Sequence, residues 1–349
     1  MKLTTVAENW LERIALWLKL APLPLSDTHL AFMLARTVMV ATKAGIFEAL
    51  ADQAQTAEHI AAQCSTDTKA TQTLLNTLVH LGYVRFKHHQ YRLAPLARKW
   101  MLKNSASSLH DKMLLQFLEW EFVEHYETYV RTGQPFEMHE QLREDQWPVY
   151  QRGMRSVAGI SSSEVARRTP VPKGATRMLD IGGAHGHYST ALCHQHPALQ
   201  AVILELPEAI RHSKAILAKE QMGERVTYRA GNALTDDLGE AEWDVVFISS
   251  LLHHFDDTTN AALSQRVFRA LRPGGLYIVQ EYMRSDEPKA GDHLGGLLDL
   301  YFAATSKAGT YSEAEIKRWQ REAGFNLQRS VWLRSIPRHA QIIAKKPHS

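Results

Sequence analysis

Asp180, Gly182, Gly183, Gly186 and Glu205 are the residues whose types and spacing speak most directly to chemistry. The run Met178-Leu-Asp-Ile-Gly-Gly-Ala-His-Gly186 is apolar, ends in an acid, and turns through three glycines toward a helix-like segment, Tyr188 to Cys193. Glycines let a ligand approach the backbone closely, and amides at a helix start face that ligand. A second apolar run, Gln200-Ala-Val-Ile-Leu204, is closed by Glu205, about 25 residues after Asp180. A carboxylate at that strand tip can accept hydrogen bonds from both hydroxyls of a ribose. The pair therefore points to a nucleotide-like ligand, although the spacing is not the dinucleotide G-x-G-x-x-G.

Those residues need a sheet to hold them. A third run, Val226-Thr-Tyr-Arg-Ala230, ends in Gly231-Asn232-Ala233. A fourth, Trp243 to Ser249, enters Ser250-Leu-Leu-His253-His254-Phe255-Asp256-Asp257. A helix-like segment, Ala261 to Leu271, stops at Arg272-Pro-Gly-Gly275, and a fifth run, Leu276 to Gln280, ends at Glu281. Strands alternating with helices at short intervals predict an α/β fold, a parallel sheet covered by helices on both faces.

At 349 residues the chain suits two domains better than one core. Hydrophobic content of 45% and charged content of 22% are those of a globular protein. A net charge of +3 without a lysine/arginine block gives no reason to expect nucleic acid. Cys64 and Cys193 lack metal or redox spacing, so a reduced, cytoplasmic setting is expected. No apolar run reaches the roughly 18 residues of a membrane span, and Glu8 and Glu12 interrupt the N-terminal pattern, which argues against a signal peptide.

The N-terminal third reads as a separate body. Trp10, Leu11, Ile14, Leu16, Trp17, Leu18 and Leu20 form a helical apolar pattern before Pro22. It fits a membrane-surface helix, but packing on the body or a second subunit is preferred. Leu30 to Leu50 reads as one helix, apolar on most sides, for which a homodimer interface supplies cover. Thr56 caps a helix to Gln63, a second helix runs to His80, and strand-like Tyr83 to Phe86 and Gln90 to Leu93 follow, the layout of a winged helix. The second helix carries Lys69 as its one cation beside Leu74, Leu75 and Leu78, so scaffold and dimerisation are preferred to DNA contact.

In this order, the glycine loop, Leu-Glu205-Leu206-Pro, Gly-Asn232, Leu-His253-His-Phe-Asp-Asp, Arg-Pro-Gly-Gly, Gly-Thr-Tyr-Ser and Ala-Gly-Phe325 resemble one family. It is the class I S-adenosylmethionine (SAM)-dependent small-molecule O-methyltransferases of the caffeate/acetylserotonin/hydroxyneurosporene type. The resemblance covers about Leu30 to Lys345. It implies a winged-helix dimerisation domain over 1–106, a helical connector and acceptor lid over 107–168, and a Rossmann-like methyltransferase domain over 169–349. It also implies SAM as cofactor, with S-adenosylhomocysteine as product.

Residue by residue, the resemblance implies that Gly182 and Gly183 approach the methionine moiety of SAM and Glu205 holds its ribose, with Asp180 and Leu206 also among the cofactor-binding residues. Asn232, where the family usually has aspartate, and Ala233 fall beside the adenine; an amide oxygen there can still accept a hydrogen bond. Ser249 stands where plant members carry a lysine. His253 matches the general base and Glu281 the acid that orients it. A neutral imidazole can take a phenolic or enolic proton near pH 7, and a thioether leaving group requires no metal. The plainer reading of His253 is a structural hydrogen bond, and of Glu281 a solvated charge. His254 is expected to point the other way. Plant members carry a second glutamate where this chain has Gly309-Thr310-Tyr311-Ser312, whose Ser312 and Glu315 read as a capping box.

Residues 107–168 are rich in aromatics, and most read as core. Trp147, Tyr150 and Met154, with Tyr301 and Phe302, are the expected lining of an apolar pocket for a flat acceptor. The reading is a homodimeric methyltransferase acting on a hydroxyl of an aromatic or polyketide-like secondary metabolite. The alternatives are C-methylation or non-methylating chemistry (hydroxylation, decarboxylation, rearrangement) on the same cofactor, and a winged-helix regulator that senses SAM.

Overall fold

The protein is described by a computed structural model covering residues 5–348, and it divides into two compact units, Lys2–Phe117 and Leu118–Ser349. In the first unit, the Trp10–Trp17 helix begins where the Asn9 side chain accepts from the Glu12 amide, and it buries none of its residues. The stretch expected as one helix over Leu30 to Leu50 is instead two, Ala31–Lys43 and Ile46–Ala49. Gly45 lies between them at φ +81°, a left-handed conformation that ends the first helix while the apolar pattern continues through Ile46 and Phe47. Thr56 and Asp67 cap the Ala57–Cys64 and Thr68–His80 helices, accepting from the His59 and Ala70 amides. Strands β1 (Val84–Lys87) and β2 (Gln90–Leu93) pair antiparallel around His88 and His89, both at positive φ. Tight hairpins require that backbone.

The second unit is built on β3 (Arg177–Ile181), β4 (Gln200–Glu205), β5 (Val226–Ala230), β6 (Trp243–Ser249), β7 (Leu271–Tyr282), β8 (Asn326–Leu327), β9 (Val331–Trp332) and β10 (His339–Lys345). The sheet order is β5-β4-β3-β6-β7-β10-β8, with β9 paired to β10. Strands β3 to β7, the five runs read from the sequence, are parallel as expected, and β10, which that reading did not include, runs antiparallel to β7. Arg272-Pro-Gly-Gly275, read as a stop, lies inside β7. Alternate residues feed two buried clusters: Leu179, Ile181, Val246, Ile248 and Val279 in one, Met178, Ile203, Val245, Phe247 and Ile278 in the other. A strand buried on both sides must be apolar at nearly every position, which is why these runs stood out.

From β3 the chain moves outward through β4 and β5, then returns to place β6 on the other side of β3. That reversal opens a crevice at the carboxyl ends of β3, β4, β6 and β7, where such sheets bind ligands. No helix among the described residues is long and apolar enough to cross a membrane.

Candidate active site

The chain turns out of β3 at Gly182 (φ +70°), Ala184 (φ +44°) and Gly186 (φ +72°). A Cβ at Gly182 would lie 2.9 Å from Leu251 Cδ2, and one at Gly183 only 2.4 Å from Asp180 Oδ2. The loop therefore folds back onto Asp180 with bare backbone outward. Ala184, standing where a glycine is common, takes up the left-handed region at some local strain. Its amide donates to Glu205 Oε2 at 3.0 Å and its carbonyl accepts from the Tyr228 hydroxyl at 2.7 Å.

Asp180 is buried and accepts from Ser189 Oγ at 2.5 Å. Burial pushes its carboxyl up to about 7, against the Ser189 hydrogen bond and with the help of Glu205. Glu205 also accepts from the Leu206 amide at 2.8 Å, and burial raises its pKa despite the two amides. These residues fit a cofactor pressed against glycine backbone, with a carboxylate at the next strand tip.

Around that loop, Leu206 is exposed, Asn232 and Ala233 follow β5, and Ser249 Oγ accepts from Gln280 Nε2 at 3.2 Å. Asn232 Oδ1, the atom assigned to adenine, accepts from the Leu234 amide at 2.9 Å, while the Asn232 amide donates to Asp236 Oδ2 at 3.0 Å.

Glu281 lies near the end of β7 and is 2% exposed. Its Oε1 accepts from the Leu251 and Leu252 amides at 2.6 and 2.8 Å, and its Oε2 stands 3.2 Å from His253 Nδ1. A carboxylate can only accept, so Nδ1 carries the proton, and in the neutral ring Nε2 keeps the lone pair. The His253 ring is buried and stacks on Phe302 at 3.9 Å between centroids. Its turn, Leu252–His254, is pinned from below. Asn260 Nδ2 donates to the Leu252 and Phe255 carbonyls at 3.0 Å each, and the Tyr311 hydroxyl donates to the Phe255 carbonyl at 2.6 Å. Because the turn is a 3₁₀ helix and not a strand end, His254 does not diverge as expected; its ring sits 4.2 Å from that of His253.

From His254 the rings continue. His139 lies 4.5 Å away, and its Nε2 is 2.9 Å from the Tyr150 hydroxyl. Trp147 stacks near-parallel on both His139 and His212, each at 6.0 Å. Tyr301 meets Phe302 at 5.3 Å. Of the expected lining, Trp147, Tyr150 and Tyr301 pack against one cluster with Phe122, Met138 and Leu142. Met154 is half-buried on the Trp147–Arg168 helix, four residues beyond Tyr150 and so on the same helix face.

A model of the O-methyltransferase domain matches residues 114–326, and one of the O-methyltransferase dimerisation domain matches residues 26–103. The chain belongs to the O-methyltransferase family. It is a SAM-dependent methyltransferase of the secondary-metabolite type. The chain is 24% identical over 318 residues to 3-hydroxy-5-methyl-1-naphthoate 3-O-methyltransferase of Streptomyces sahachiroi, covering 89% of this chain and 91% of that one. To O-demethylpuromycin-O-methyltransferase of Streptomyces alboniger it is 25% identical over 306 residues, covering 83% and 80%. Human N-acetylserotonin methyltransferase, solved with SAM, superposes with a TM-score of 0.81 at 18% identity over 99% of this chain and 100% of that one, a likeness of fold.

Four residues of this arrangement escaped the sequence reading: Asn260, Tyr311, His139 and His212. Asn260 and Tyr311 act through the turn they hold, and no local periodicity marks them. His139 and His212 are brought to Trp147 from separate helices, Met138–Gln141 and Pro207–Ala218, by packing alone.

Proposed function

We propose that the protein methylates a hydroxyl of a planar aromatic or polyketide-like metabolite, with His253 taking the hydroxyl proton. The observation that carries this is the clamp on Glu281. Two backbone amides fix Oε1, Oε2 fixes His253 Nδ1, and in the neutral imidazole Nε2 is the nitrogen left to accept. SAM, when bound, supplies a methyl group on a positively charged sulfur, with a neutral thioether left behind. The chain's task is then alignment and removal of one proton. Gly182 and Gly183 offer close backbone approach, and Glu205 is placed for the ribose hydroxyls. Asp180 supports the loop from beneath, and Leu206, Asn232, Ala233 and Ser249 border it. Trp147, Tyr150, Met154, Tyr301 and Phe302 would line the acceptor side.

The departure at Gly309-Thr310-Tyr311-Ser312 leaves Glu281 as the sole acid for His253 in this reading. Of the two acids that follow, Glu313 accepts from Ser330 Oγ and pairs with Lys317, each at 2.6 Å, and Glu315 is held by two Arg284 Nη2 contacts, at 2.6 and 2.7 Å, and by the Ser312 amide at 2.7 Å. Both relatives named above are O-methyltransferases by name, which favours oxygen as the acceptor atom.

The test is His253→Ala. Turnover should fall by roughly 10²–10⁴, as for loss of a general base, while SAM affinity by calorimetry stays nearly intact. Retention of most activity would remove His253 from the mechanism.

A further inference from the structure

We propose that His139, His254 and Tyr150 form a second recognition site that reads an oxygen of the acceptor adjacent to the one being methylated. The inference rests on the reading that this face of the site takes the acceptor. It goes beyond that reading in specifying what else the acceptor must carry, a hydroxyl or carbonyl oxygen and not a carboxylate.

The geometry is a row of three imidazoles. The His253 ring is 4.2 Å from that of His254, and the His254 ring is 4.5 Å from that of His139. The His139 ring is hydrogen-bonded to the Tyr150 hydroxyl through Nε2 at 2.9 Å. Were the row only packing, phenyl rings would serve with less desolvation, since buried polar groups are unfavourable unless hydrogen-bonded. His253 is accounted for by Glu281. His254 meets rings on both sides, those of His253 and His139.

The row also carries no charge to offer. Burial, with His253 next to it, lowers His139 to about 4. Burial, His253 and His139 together hold His254 well below the usual imidazole range. The Tyr150 phenol is pushed up by burial and by Glu119 and Glu205, so it keeps its proton. Neutral imidazoles and a phenol can each donate or accept one hydrogen bond, which suits a hydroxyl or a carbonyl. A carboxylate brought here would be desolvated without a counter-charge, an unfavourable arrangement. Because His254 adjoins His253, the oxygen it reads must sit next to the reacting hydroxyl on the same planar skeleton.

The experiment uses the full-length protein with S-adenosylhomocysteine bound and three naphthalene probes: 2-naphthol, 2,3-dihydroxynaphthalene and 3-hydroxy-2-naphthoate. Binding is read by calorimetry. The diol should bind at least tenfold more tightly than the mono-ol, and the hydroxynaphthoate no more tightly than the mono-ol. In His139→Phe and His254→Phe the diol preference should shrink toward unity. In His139→Gln, which keeps a donor and an acceptor, much of it should return. Near-ultraviolet circular dichroism and the S-adenosylhomocysteine affinity check that each variant is folded, and the wild-type ratios stand as a test should a phenylalanine variant fail to fold. Equal binding of diol and mono-ol, tighter binding of the carboxylate, failure of every probe to bind, or a preference unchanged in folded variants would each overturn the proposal. Methyl transfer is measured separately on the bound probes. A diol preference without methylation would leave this site standing and count against His253 as base.

Discussion

Glu281 does two jobs through its two oxygens, and a single substitution separates them. In Glu281→Gln one oxygen can still accept from the Leu251 and Leu252 amides, but the amide nitrogen facing Nδ1 would donate. That favours the tautomer with the proton on Nε2, which cannot act as a base. We expect kcat to fall about 10²–10⁴-fold, as when a triad aspartate becomes asparagine, with SAM affinity little changed. A near-normal kcat in Glu281→Gln would mean that the orientation of His253 is set elsewhere. Gly183→Ala acts on the cofactor side. The new Cβ would fall 2.4 Å from Asp180 Oδ2, so either the loop or the Asp180 carboxylate that Ser189 holds must shift. SAM affinity should drop at least tenfold while the far-ultraviolet spectrum is retained; unaltered affinity would show that the loop does not meet the cofactor there.

At the scale of elements, the turn carrying His253 is held by Asn260 from the Asp257–Ala270 helix. Asn260→Ala removes two hydrogen bonds, each worth about 0.5–1.5 kcal/mol, while the Leu252 carbonyl keeps the Phe255 amide and the Phe255 carbonyl keeps the Tyr311 hydroxyl. It should lower kcat more than SAM affinity, and an unchanged kcat would count against the turn as a positioning device. Neither Asn260 nor Tyr311 shows in a linear reading, because each acts on a segment distant in sequence. What was legible is what the backbone needs locally: apolar runs for strands buried on both faces, glycines for the left-handed loop, Thr56 and Ser312 as caps. What was not legible depends on where elements meet. The strand β10 contains an apolar run, Ala340 to Ala344, yet its antiparallel place beside β7 follows from packing and not from order along the chain. The break at Gly45 was hidden for the opposite reason, since hydrophobicity runs straight through a conformational stop. The direction of His254 is not legible because a 3₁₀ turn points its side chains differently from a strand end, and that of His139 because its helix meets Trp147 only through packing.

At the scale of the whole molecule, burial of neutral histidines sets a pH limit on stability. His139 and His339 are lowered to about 4 and His185 to about 3, chiefly by burial. Below the unperturbed value of 6.5 the unfolded chain takes up protons that these rings refuse, so stability should be level above about 6.5 and fall as pH drops toward 4. Asp180, raised to about 7 from 3.8, works the other way, since the folded form holds its proton over that span. Glu205 is raised as well, but His187 and His254 are also lowered, so the five histidines outweigh the two carboxylates and leave a net loss on acidification. Thermal melts of the cofactor-free protein should show Tm falling between pH 7 and 5, and a flat profile would contradict the burial argument. Assembly follows from what a single chain leaves uncovered. Trp17 is 79% exposed, Trp10 68%, Leu30 55% and Phe32 49%, a concentration of large apolar side chains that a lone globular chain seldom presents. Residues 26–103 match a dimerisation domain, and a second copy offers the same apolar face in return. Light scattering at micromolar concentration should therefore give about twice the 39.5 kDa of one chain. Phe32→Glu together with Met33→Glu, placing two charges in the covered face, should shift the mass toward one chain. A wild-type mass of one chain, or a double variant that stays dimeric, would remove the Ala31–Lys43 helix from the interface.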